Sequence, residues 1–230
     1  GGQALLDLNK IKYTGSGVLA SALAMNKVMS KRIFESESIP TPHYLFYEKN
    51  SDFRSAELRI NEKEYPIVVK PNAEGSTVGL SLVTEEDALE VAWNKASQYG
   101  DILIESYIAG REITVAVLGD ETLPVIEIIP EGGLYDYEHK YTKGKTRYVC
   151  PAEVPNEVSA EAQRLALMAF KVLGCKGYGR IDFRLSQEYQ LYCLEANTLP
   201  GMTATSLVPK AAKAAGIEFN DLVDRIVKLV

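Results

Sequence analysis

The stretch GYGRIDFRLSQEYQLYCLEAN, residues 177–197, contains two strand-like segments joined by the short polar sequence SQE. Side chains two residues apart on a β-strand point to the same face of the sheet. Arg180 and Asp182 therefore share one face of the first segment, and Glu195 and Asn197 share one face of the second. If the two segments pair as an antiparallel hairpin, these polar side chains converge on one side of the sheet.

The convergence of Asp182, Glu195 and Asn197 has two explanations. Burying a carboxylate is costly unless it is paired or coordinates a metal. Oxygen donors of this kind suit a hard cation such as Mg²⁺, which keeps several waters and typically bridges a substrate phosphate. In the other interpretation, Arg180 or Arg184 forms salt bridges with the two acids across the strands. The spacing alone favours neither explanation.

The composition narrows the class of protein. The chain has 230 residues, of which 46% are hydrophobic, and this is enough for one large core or two modest domains. A net charge of −6 and an isoelectric point near 5.2 argue against nucleic-acid or membrane-surface binding. No apolar run approaches the roughly 18 to 20 residues that span a bilayer. The odd number of cysteines, at no metal-like spacing, predicts a reduced, cytoplasmic protein.

The hydrophobic pattern predicts helices and strands without a strict βαβ alternation. Residues 18–38 have the spacing of one helix, which ends before Pro40 and Pro42, and residues 85–98 that of another. A strand is expected over residues 65–70. Further strands are expected at ILIES, EITVAVLG and LPVIEII, and further helices over 157–173, 205–215 and 218–230. This mixture indicates an α+β fold with mostly antiparallel sheets flanked by helices.

The turn EGSTVG, residues 74–79, follows Lys70 at the end of an apolar strand. Its two glycines let the backbone approach a ligand, and the hydroxyls of Ser76 and Thr77 can cover phosphates. A plain hairpin turn beside a snorkelling lysine is the commoner explanation of such a sequence. The turn therefore indicates an anion site only if a metal site lies next to it.

Two further segments are candidates for ligand contacts. Glu105 and Glu112 flank a short linker between strands, a usual place for a nucleotide base and ribose. On spacing alone, two solvated acids near a turn are the commoner case. The polar loop over residues 132–149 has the length typical of a lid, a binding loop or a disordered segment.

Five motifs occur in a fixed order along the chain: KPNAEGSTVG (70–79), ESYIAGREIT (105–114), YDYEHKY (135–141), GRID (179–182) and LEANTLPGMTATSLVP (194–209). Together they closely resemble the D-alanine–D-alanine ligases of the ATP-grasp superfamily, and YTGSG at residues 13–17 fits as well. Any one motif would be weak, whereas the ordered set is highly specific. The resemblance covers essentially the whole chain.

The resemblance implies an α+β ATP-grasp fold in which two subdomains hold ATP between them. It also implies a cytoplasmic enzyme of peptidoglycan precursor synthesis that joins two D-alanines. The carboxylate of the first D-alanine is phosphorylated to an acyl phosphate, and the amine of the second attacks it through a tetrahedral intermediate. The expected cofactors are ATP and Mg²⁺, with two ions bound and Mn²⁺ as a substitute, and relatives are usually homodimers.

The same resemblance divides the chain into three parts. Residues 1–16 would be the remnant of an N-terminal domain and its linker. Residues 17–110 would form the small subdomain, and residues 111–230 the large subdomain with a lid loop at 131–150.

Three groups of positions match those with which the family binds Mg-ATP. The implied metal ligands are Asp182, Glu195 and Asn197. The implied phosphate contacts are Lys27, Lys70 and, when the lid closes, Lys140. The implied adenine contacts, made largely through the backbone, are Glu105, Ser106 and Ile108, and the implied ribose contact is Glu112.

Other positions match the family's catalytic and substrate contacts. Ser76 resembles the serine that is linked through hydrogen bonds to a lid tyrosine, here Tyr141, and this lid is closer to the D-alanine enzymes than to their D-lactate-using relatives. Arg180 and the backbone around Gly201 would stabilise the charge of the tetrahedral intermediate. Ser206 and Leu207 would hold the carboxylate of the second D-alanine, because they lie at a helix N-terminus, which attracts anions.

Two departures from the family pattern bear on activity. Asn26 stands where relatives usually have Asp, which we expect to alter local electrostatics without abolishing nucleotide binding. The family also has a further N-terminal domain of about a hundred residues, which supplies a glutamate for the first D-alanine. We therefore expect impaired ligation. The alternatives are an ATP- and Mg²⁺-binding ATP-grasp module without ligase activity and, less favoured, a purely structural or interaction domain.

Overall fold

The computed structural model describes residues 1–60, 64–130 and 146–230. The helices in these ranges are α1 (Gly2–Leu8), α2 (Val18–Met25), α3 (Lys27–Ser36), α4 (Arg54–Glu57), α5 (Leu89–Ser97), α6 (Asn156–Val172), α7 (Leu207–Ala214) and α8 (Phe219–Lys228). The strands are β1 (Tyr44–Tyr47), β2 (Ile67–Pro71), β3 (Ser81–Val83), β4 (Ile102–Ser106), β5 (Gly110–Leu118), β6 (Glu121–Thr122), β7 (Ile126–Pro130), β8 (Thr146–Val149), β9 (Tyr178–Ser186) and β10 (Leu191–Asn197). Within these ranges, no helix combines the length and the apolar content needed to cross a membrane.

The strands form two antiparallel sheets. The small sheet has the order β1-β4-β2-β3, and the large sheet has the order β10-β9-β5-β7-β8 with β6 paired to β5. The linker 107–109 connects β4 of the small sheet to β5 of the large one. The predicted α+β class with antiparallel sheets is therefore confirmed. We propose that the two sheets mark the two expected subdomains.

The small sheet has its own core beneath α5. Val69 and Ile104 are buried in this core together with Trp93 of the helix. The rings of Tyr47 and Phe53 meet the Trp93 ring edge-on, with centroid distances of 5.1 and 5.9 Å. The sequence predicted that this helix begins at residue 85. In the structure it begins at Leu89, after a 3-10 turn at Glu86–Ala88.

The large sheet buries the central part of one face under helices. The alternating side chains Ile113 and Val115 of β5, with Ile181 and Phe183 of β9, pack in one core with residues of α2, α3 and α6. Although α2 and α3 precede the small sheet in sequence, their buried residues Ala20, Ala24 and Phe34 belong to this core.

The other face of the large sheet is covered only in part. Ala116, Leu118 and Tyr178 pack against buried residues of α7 and α8, such as Val208 and Leu222. Further along the same face, strand alternation places polar side chains instead. These are Glu112, Thr114, Asp182 and Arg184, paired by register as Glu112 with Arg184 and Thr114 with Asp182. This polar half of the face is where a ligand can reach the sheet.

A β-bulge decides which side chains of β10 join the polar half. Cys193 lies opposite Phe183, but Glu195 lies opposite Asp182, so Leu194 is an extra residue in the ladder. The extra residue interrupts the alternation of the strand, so residues two apart on either side of the bulge face opposite sides of the sheet. Cys193 is therefore buried in the core, whereas Glu195 joins the face of Asp182.

The single helix predicted over residues 18–38 is wrong, because the chain breaks at Asn26. This residue is extended (φ −91°, ψ 99°), and its side-chain oxygen accepts a hydrogen bond from the Met29 N–H at 3.0 Å, which caps α3. The backbone N–H of Lys27 donates to the carbonyl of Asn72 at 3.2 Å. The hydrogen bond to Asn72, just after β2, thus replaces one that the Lys27 N–H would make within a single continuous helix.

Gly110, at the start of β5, is the position where the fold tolerates a side chain least. Its φ of +134° is accessible mainly to glycine, and a Cβ there would lie 2.1 Å from the carbonyl oxygen of Leu185. Gly100 has a similar φ of +140°, but a Cβ there would meet nothing within 4 Å. A comparison of substitutions at Gly110 and Gly100 therefore separates the cost of the backbone conformation from the cost of the steric clash with Leu185.

We expect Gly110→Ala to lower the free energy of unfolding by about 2–4 kcal/mol more than Gly100→Ala, because only the first substitution forces β5 and β9 apart. At about 2–4 °C per kcal/mol for a chain of this size, thermal unfolding resolves the difference. Equal losses for the two variants would contradict the close approach of Gly110 to β9.

Candidate functional site

A continuous cleft opens between the small sheet and the polar half of the large sheet. It consists of two adjoining cavities, with open volumes of about 710 and 670 Å³. Both cavities are lined by Lys70, Leu80, Glu112 and Leu194, so the two spaces are parts of one cleft. The cleft can therefore hold an elongated ligand that contacts both sheets.

The first cavity is mainly apolar and lies beside the linker between the sheets. Its apolar lining includes Val68, Leu82, Tyr107, Ile108 and Leu194. Its charged and hydrogen-bonding groups are Lys70, Glu105, Ser106, Glu112 and Arg184. An apolar slot with a few polar groups at its rim is the usual form of a small-molecule site.

The second cavity is charged. It is lined by Lys27, Lys70, Asp182, Glu195 and the turn 74–78, which includes Ser76. The ammonium group of Lys27 lies 2.5 Å from the carbonyl oxygen of Glu74 and 3.4 Å from a carboxylate oxygen of Glu195. The two cavities thus bring together nine of the residues predicted from the sequence: Lys27, Lys70, Ser76, Glu105, Ser106, Ile108, Glu112, Asp182 and Glu195.

The turn that borders the second cavity has an unusual backbone. Ser76 and Thr77 both have positive φ, 54° and 61°, although neither is a glycine. Such conformations are sparsely populated outside glycine and often occur at functional sites. Tyr141, the predicted partner of Ser76, and Lys140, the predicted phosphate contact, lie outside the described residues.

A buried carboxylate lies between two lysines beside the first cavity. Glu105 lies 2.7 Å from the ammonium of Lys31 and 2.5 Å from that of Lys70, and all three residues are buried. Burial alone would raise the pKa of Glu105, but the two ammonium groups lower it from 4.5 to about 2. Burial lowers the pKa of Lys31, and the negative charge of Glu105 opposes this effect.

Sequence reasoning missed Lys31. It is fully buried on α3, where its ammonium also donates to the hydroxyl of Thr41 at 2.5 Å. The available signal was its position four residues after Lys27, because residues i and i+4 share a helix face. A lysine on a core-facing stripe requires a buried partner.

Asn26 and Asn72 link the lysine-bearing helix to the lysine-bearing strand. The amide of Asn72 donates to the side-chain oxygen of Asn26 at 3.0 Å, and its own oxygen accepts from the Val28 N–H at 2.9 Å. These bonds place Lys27, at the start of α3, beside the end of β2. An aspartate at position 26 would offer the same acceptor, so the departure from the family pattern keeps this geometry.

The carboxylate of Asp182 accepts three hydrogen bonds from two residues. It accepts hydrogen bonds from the Thr114 hydroxyl at 2.6 Å and from two nitrogens of Arg180 at 2.8 Å each. Asn197 lies opposite Arg180 in the register, so the polar residues of β9 and β10 do converge as predicted. The salt-bridge interpretation holds for Asp182, which pairs with Arg180, whereas Glu195 pairs with Lys27.

Among the residues the structure describes, no group of three or more His, Cys, Asp or Glu side chains is arranged to hold a metal ion. The predicted metal ligands are two acids and one amide, so they do not form a group of three such side chains. Its role as a metal site stays a prediction.

The predicted substrate positions lie beyond the two cavities, after β10. A Cβ at Gly201 would lie 2.9 Å from the Ser206 hydroxyl, so the backbone passes close to this side chain. The Ser206 hydroxyl accepts a hydrogen bond from the Thr203 N–H at 3.1 Å, and Leu207 begins α7. These residues form a tight turn that leads into the N-terminus of a helix.

Removing the buried carboxylate tests the arrangement of Glu105 and its two lysines. We expect Glu105→Gln to lower the free energy of unfolding at pH 7 by about 3–5 kcal/mol, because two buried ammonium groups lose their partner. The pKa of Glu105 is depressed, so its contribution is present above pH 4.5 and is lost as the pH falls toward 2. The difference in stability between wild type and variant should therefore shrink across that range.

The matched control is Glu161→Gln, which removes a carboxylate from the exposed Glu161–Arg164 pair on α6. Its effect should stay below about 1 kcal/mol at every pH. Urea unfolding measured from pH 2 to 8 supplies both comparisons. A Glu105→Gln variant as stable as the control would contradict the ion pairs described above.

Comparison with known proteins agrees with this architecture. Residues 33–228 match the family described as D-ala D-ala ligase C-terminus. The chain is 47% identical to a D-alanine–D-alanine ligase of Desulforamulus reducens, an alignment that covers 99% of the chain and 75% of the relative. It is also 47% identical to one from Nitrosospira multiformis, over 99% of the chain and 74% of the relative.

Solved structures give the same result. A D-alanine–D-alanine ligase from Bacillus anthracis, complexed with ATP, superposes with a TM-score of 0.86 at 33% identity, over 99% of this chain and 73% of the other. The ligase from Coxiella burnetii has a TM-score of 0.87 at 27% identity, over 99% of this chain and 62% of the other. The expected ATP-grasp fold is therefore confirmed. The chain belongs to the D-alanine–D-alanine ligase family.

Proposed function

We propose that this chain binds ATP in the cleft and catalyses the ATP-dependent joining of two D-alanines. The observation that carries the proposal is the continuous cleft, in which an apolar cavity joins a cavity lined by two lysines and four acidic residues. A base fits the apolar end, and a polyphosphate fits the charged end. Family membership supports the choice of this reaction among those that use ATP.

The base and ribose are assigned to the end of the cleft beside the linker. The carboxylate of Glu105 is already engaged by Lys31 and Lys70, so Glu105, like Ser106 and Ile108, would meet adenine through its backbone. Glu112 borders both cavities, and its carboxylate is proposed to accept hydrogen bonds from the ribose hydroxyls. The ligand would thus pass Glu112 on its way from the apolar cavity to the charged one.

The phosphates are assigned to the second cavity. Lys27 and Lys70 reach this space from different elements, α3 and β2, and the Asn26–Asn72 contact holds those elements together. Because both ammonium groups are buried and paired with carboxylates, they are held in place before a ligand binds. Lys140 is proposed as a third phosphate contact from the lid.

The donor set on β9 and β10 fits magnesium. Asp182 and Glu195 lie opposite each other in the register, and Asn197 adds an amide oxygen on the same face. Hard oxygen ligands of this kind, supplemented by phosphate oxygens and water, are what Mg²⁺ prefers. We propose these three residues as the ligands of two ions, and the bound metal would neutralise phosphate charge. Lys27 and Arg180 also offset part of the negative charge of Glu195 and Asp182.

Acyl transfer requires stabilisation of the oxyanion that develops in the tetrahedral intermediate. Arg180 is held rigidly by its two hydrogen bonds to Asp182, and preorganised donors of this kind contribute most where charge develops. The backbone near Gly201 would complete the pocket. The N-terminus of α7, at Ser206 and Leu207, would attract the carboxylate of the second D-alanine. Ser76 and Tyr141 are proposed to connect this site to the lid.

The direct test is turnover. With Mg-ATP, the chain should release ADP and phosphate only when D-alanine is present, and mass spectrometry should detect the dipeptide. L-Alanine is the control and should give no release. Mg-ATP at 100 times its Kd should also raise the Tm by about 5–10 °C. A rise in Tm without turnover would refute ligation but not nucleotide binding, and the absence of any rise would refute both.

A second test addresses the acid on β10. We expect Glu195→Gln to lower kcat by about 100-fold and to raise the Mg²⁺ concentration that half-saturates ATP binding, because one charged oxygen ligand is lost. The control is Glu188→Gln, which changes an exposed acid in the turn between β9 and β10. If the two variants behave alike, the metal assignment is wrong.

A further inference from the structure

Among the described residues that line the first cavity, Arg184 is the one large polar group to which neither the motifs nor the proposed chemistry assigns a role. It lies on the polar face of β9, opposite Glu112 of β5. Its side chain is 18% exposed. A guanidinium so far removed from water requires partners that satisfy its hydrogen-bond donors.

The partners of Arg184 are in the linker between the two sheets. Its Nε donates to the carbonyl of Ile108 at 3.0 Å, and its Nη2 donates to the carbonyl of Gly110 at 2.9 Å. The guanidinium carbon lies 5.5 Å from the centre of the Tyr107 ring. Nη1 lies 4.0 Å from a carboxylate oxygen of Glu112. One side chain therefore contacts the linker at Tyr107 and Ile108 and the start of β5 at Gly110, and it also faces the predicted ribose contact Glu112.

The linker is attached to the small sheet by other means. The N–H of Ser106 donates to the carbonyl of His43 at 2.9 Å, and that of Tyr107 donates to the carbonyl of Pro66 at 3.2 Å. On the side of the large sheet, Arg184 supplies the side-chain contacts. The N–H groups of Ser106 and Tyr107 thus attach one end of this segment to the small sheet, and the carbonyls of Ile108 and Gly110 attach the other end to Arg184 of the large sheet.

We propose that Arg184 is a positioning residue for the nucleotide. It holds residues 107–110 and Glu112 in the conformation that accepts a purine base and ribose. This inference rests on the proposed binding of ATP in the same cleft. The guanidinium suits the task because its planar, charged fork donates to two carbonyls at once, which an ammonium group does not do in the same geometry.

The position of Arg184 predicts which part of the ligand depends on it. It lines the cavity at the base end and does not line the cavity that contains Lys27, Asp182 and Glu195. A loss of linker geometry should therefore weaken ADP and ATP by the same factor. It should also raise the KM for ATP while leaving kcat and the KM for D-alanine nearly unchanged.

The experiment compares Arg184→Met, Arg184→Lys and the control Arg164→Met. Arg164 lies on α6, is exposed and pairs with Glu161, so its replacement removes the same charge far from the cleft. Titration calorimetry with Mg-ADP and Mg-ATP gives the affinities, and thermal unfolding without ligand shows that each variant is folded. We expect Arg184→Met to weaken both nucleotides about ten-fold, equivalent to 1.4 kcal/mol. Arg184→Lys should weaken them about three-fold, and Arg164→Met should not change them.

The outcomes separate this inference from the proposed reaction. If wild type binds Mg-ATP but shows no D-alanine-dependent turnover, ligation is refuted, and the affinities still decide the role of Arg184. Wild-type affinity in a folded Arg184→Met variant overturns the inference, and so does a loss confined to ATP. If Arg184→Met does not fold, the same criteria apply to Arg184→Lys.

Discussion

The antiparallel register of β9 between β5 and β10 is the constraint on which the site depends. Residues opposite each other in antiparallel strands share a face, so the pairing of Asp182 with Thr114 on one side and Glu195 on the other gathers polar groups. The alternate residues, such as Ile181 and Phe183, are buried beneath the helices by the same pairing. A shift of one residue would exchange the two sets. The core and the cleft are therefore two consequences of a single register.

The charges in the cleft are arranged in pairs that burial makes necessary. Glu105 is placed between Lys31 and Lys70, Asp182 is bound by Arg180, and Glu195 faces Lys27. An unpaired charge at the buried positions among these, such as Glu105 or Asp182, would be strongly unfavourable. Pairing also holds the ammonium and guanidinium groups in place before a ligand arrives. The same interactions thus satisfy the folded chain and preorganise the site for an anionic substrate.

The two ends of the cleft are held by different kinds of contact. At the charged end, the amides of Asn26 and Asn72 join α3 to β2. At the base end, Arg184 joins the linker to β9, and Gly110 allows the backbone of the linker to lie against that strand. In both places a polar side chain bridges elements that are distant in sequence. The relative position of the two sheets therefore depends on a few specific hydrogen bonds in addition to apolar packing.

The sequence by itself determined the α+β class, the hairpin of residues 177–197, the family and nine of the residues that line the cleft. These features depend on local alternation and on ordered motifs. Only the tertiary structure decided the helix break at Asn26, the bulge at Leu194, the burial of Lys31 and the linker contacts of Arg184. Each of these depends on a partner far away in the chain: Asn72, the β9 register, Glu105 and the linker carbonyls. No local pattern reports such partners, because the hydrogen bond or ion pair that favours the conformation exists only after the two sheets have come together.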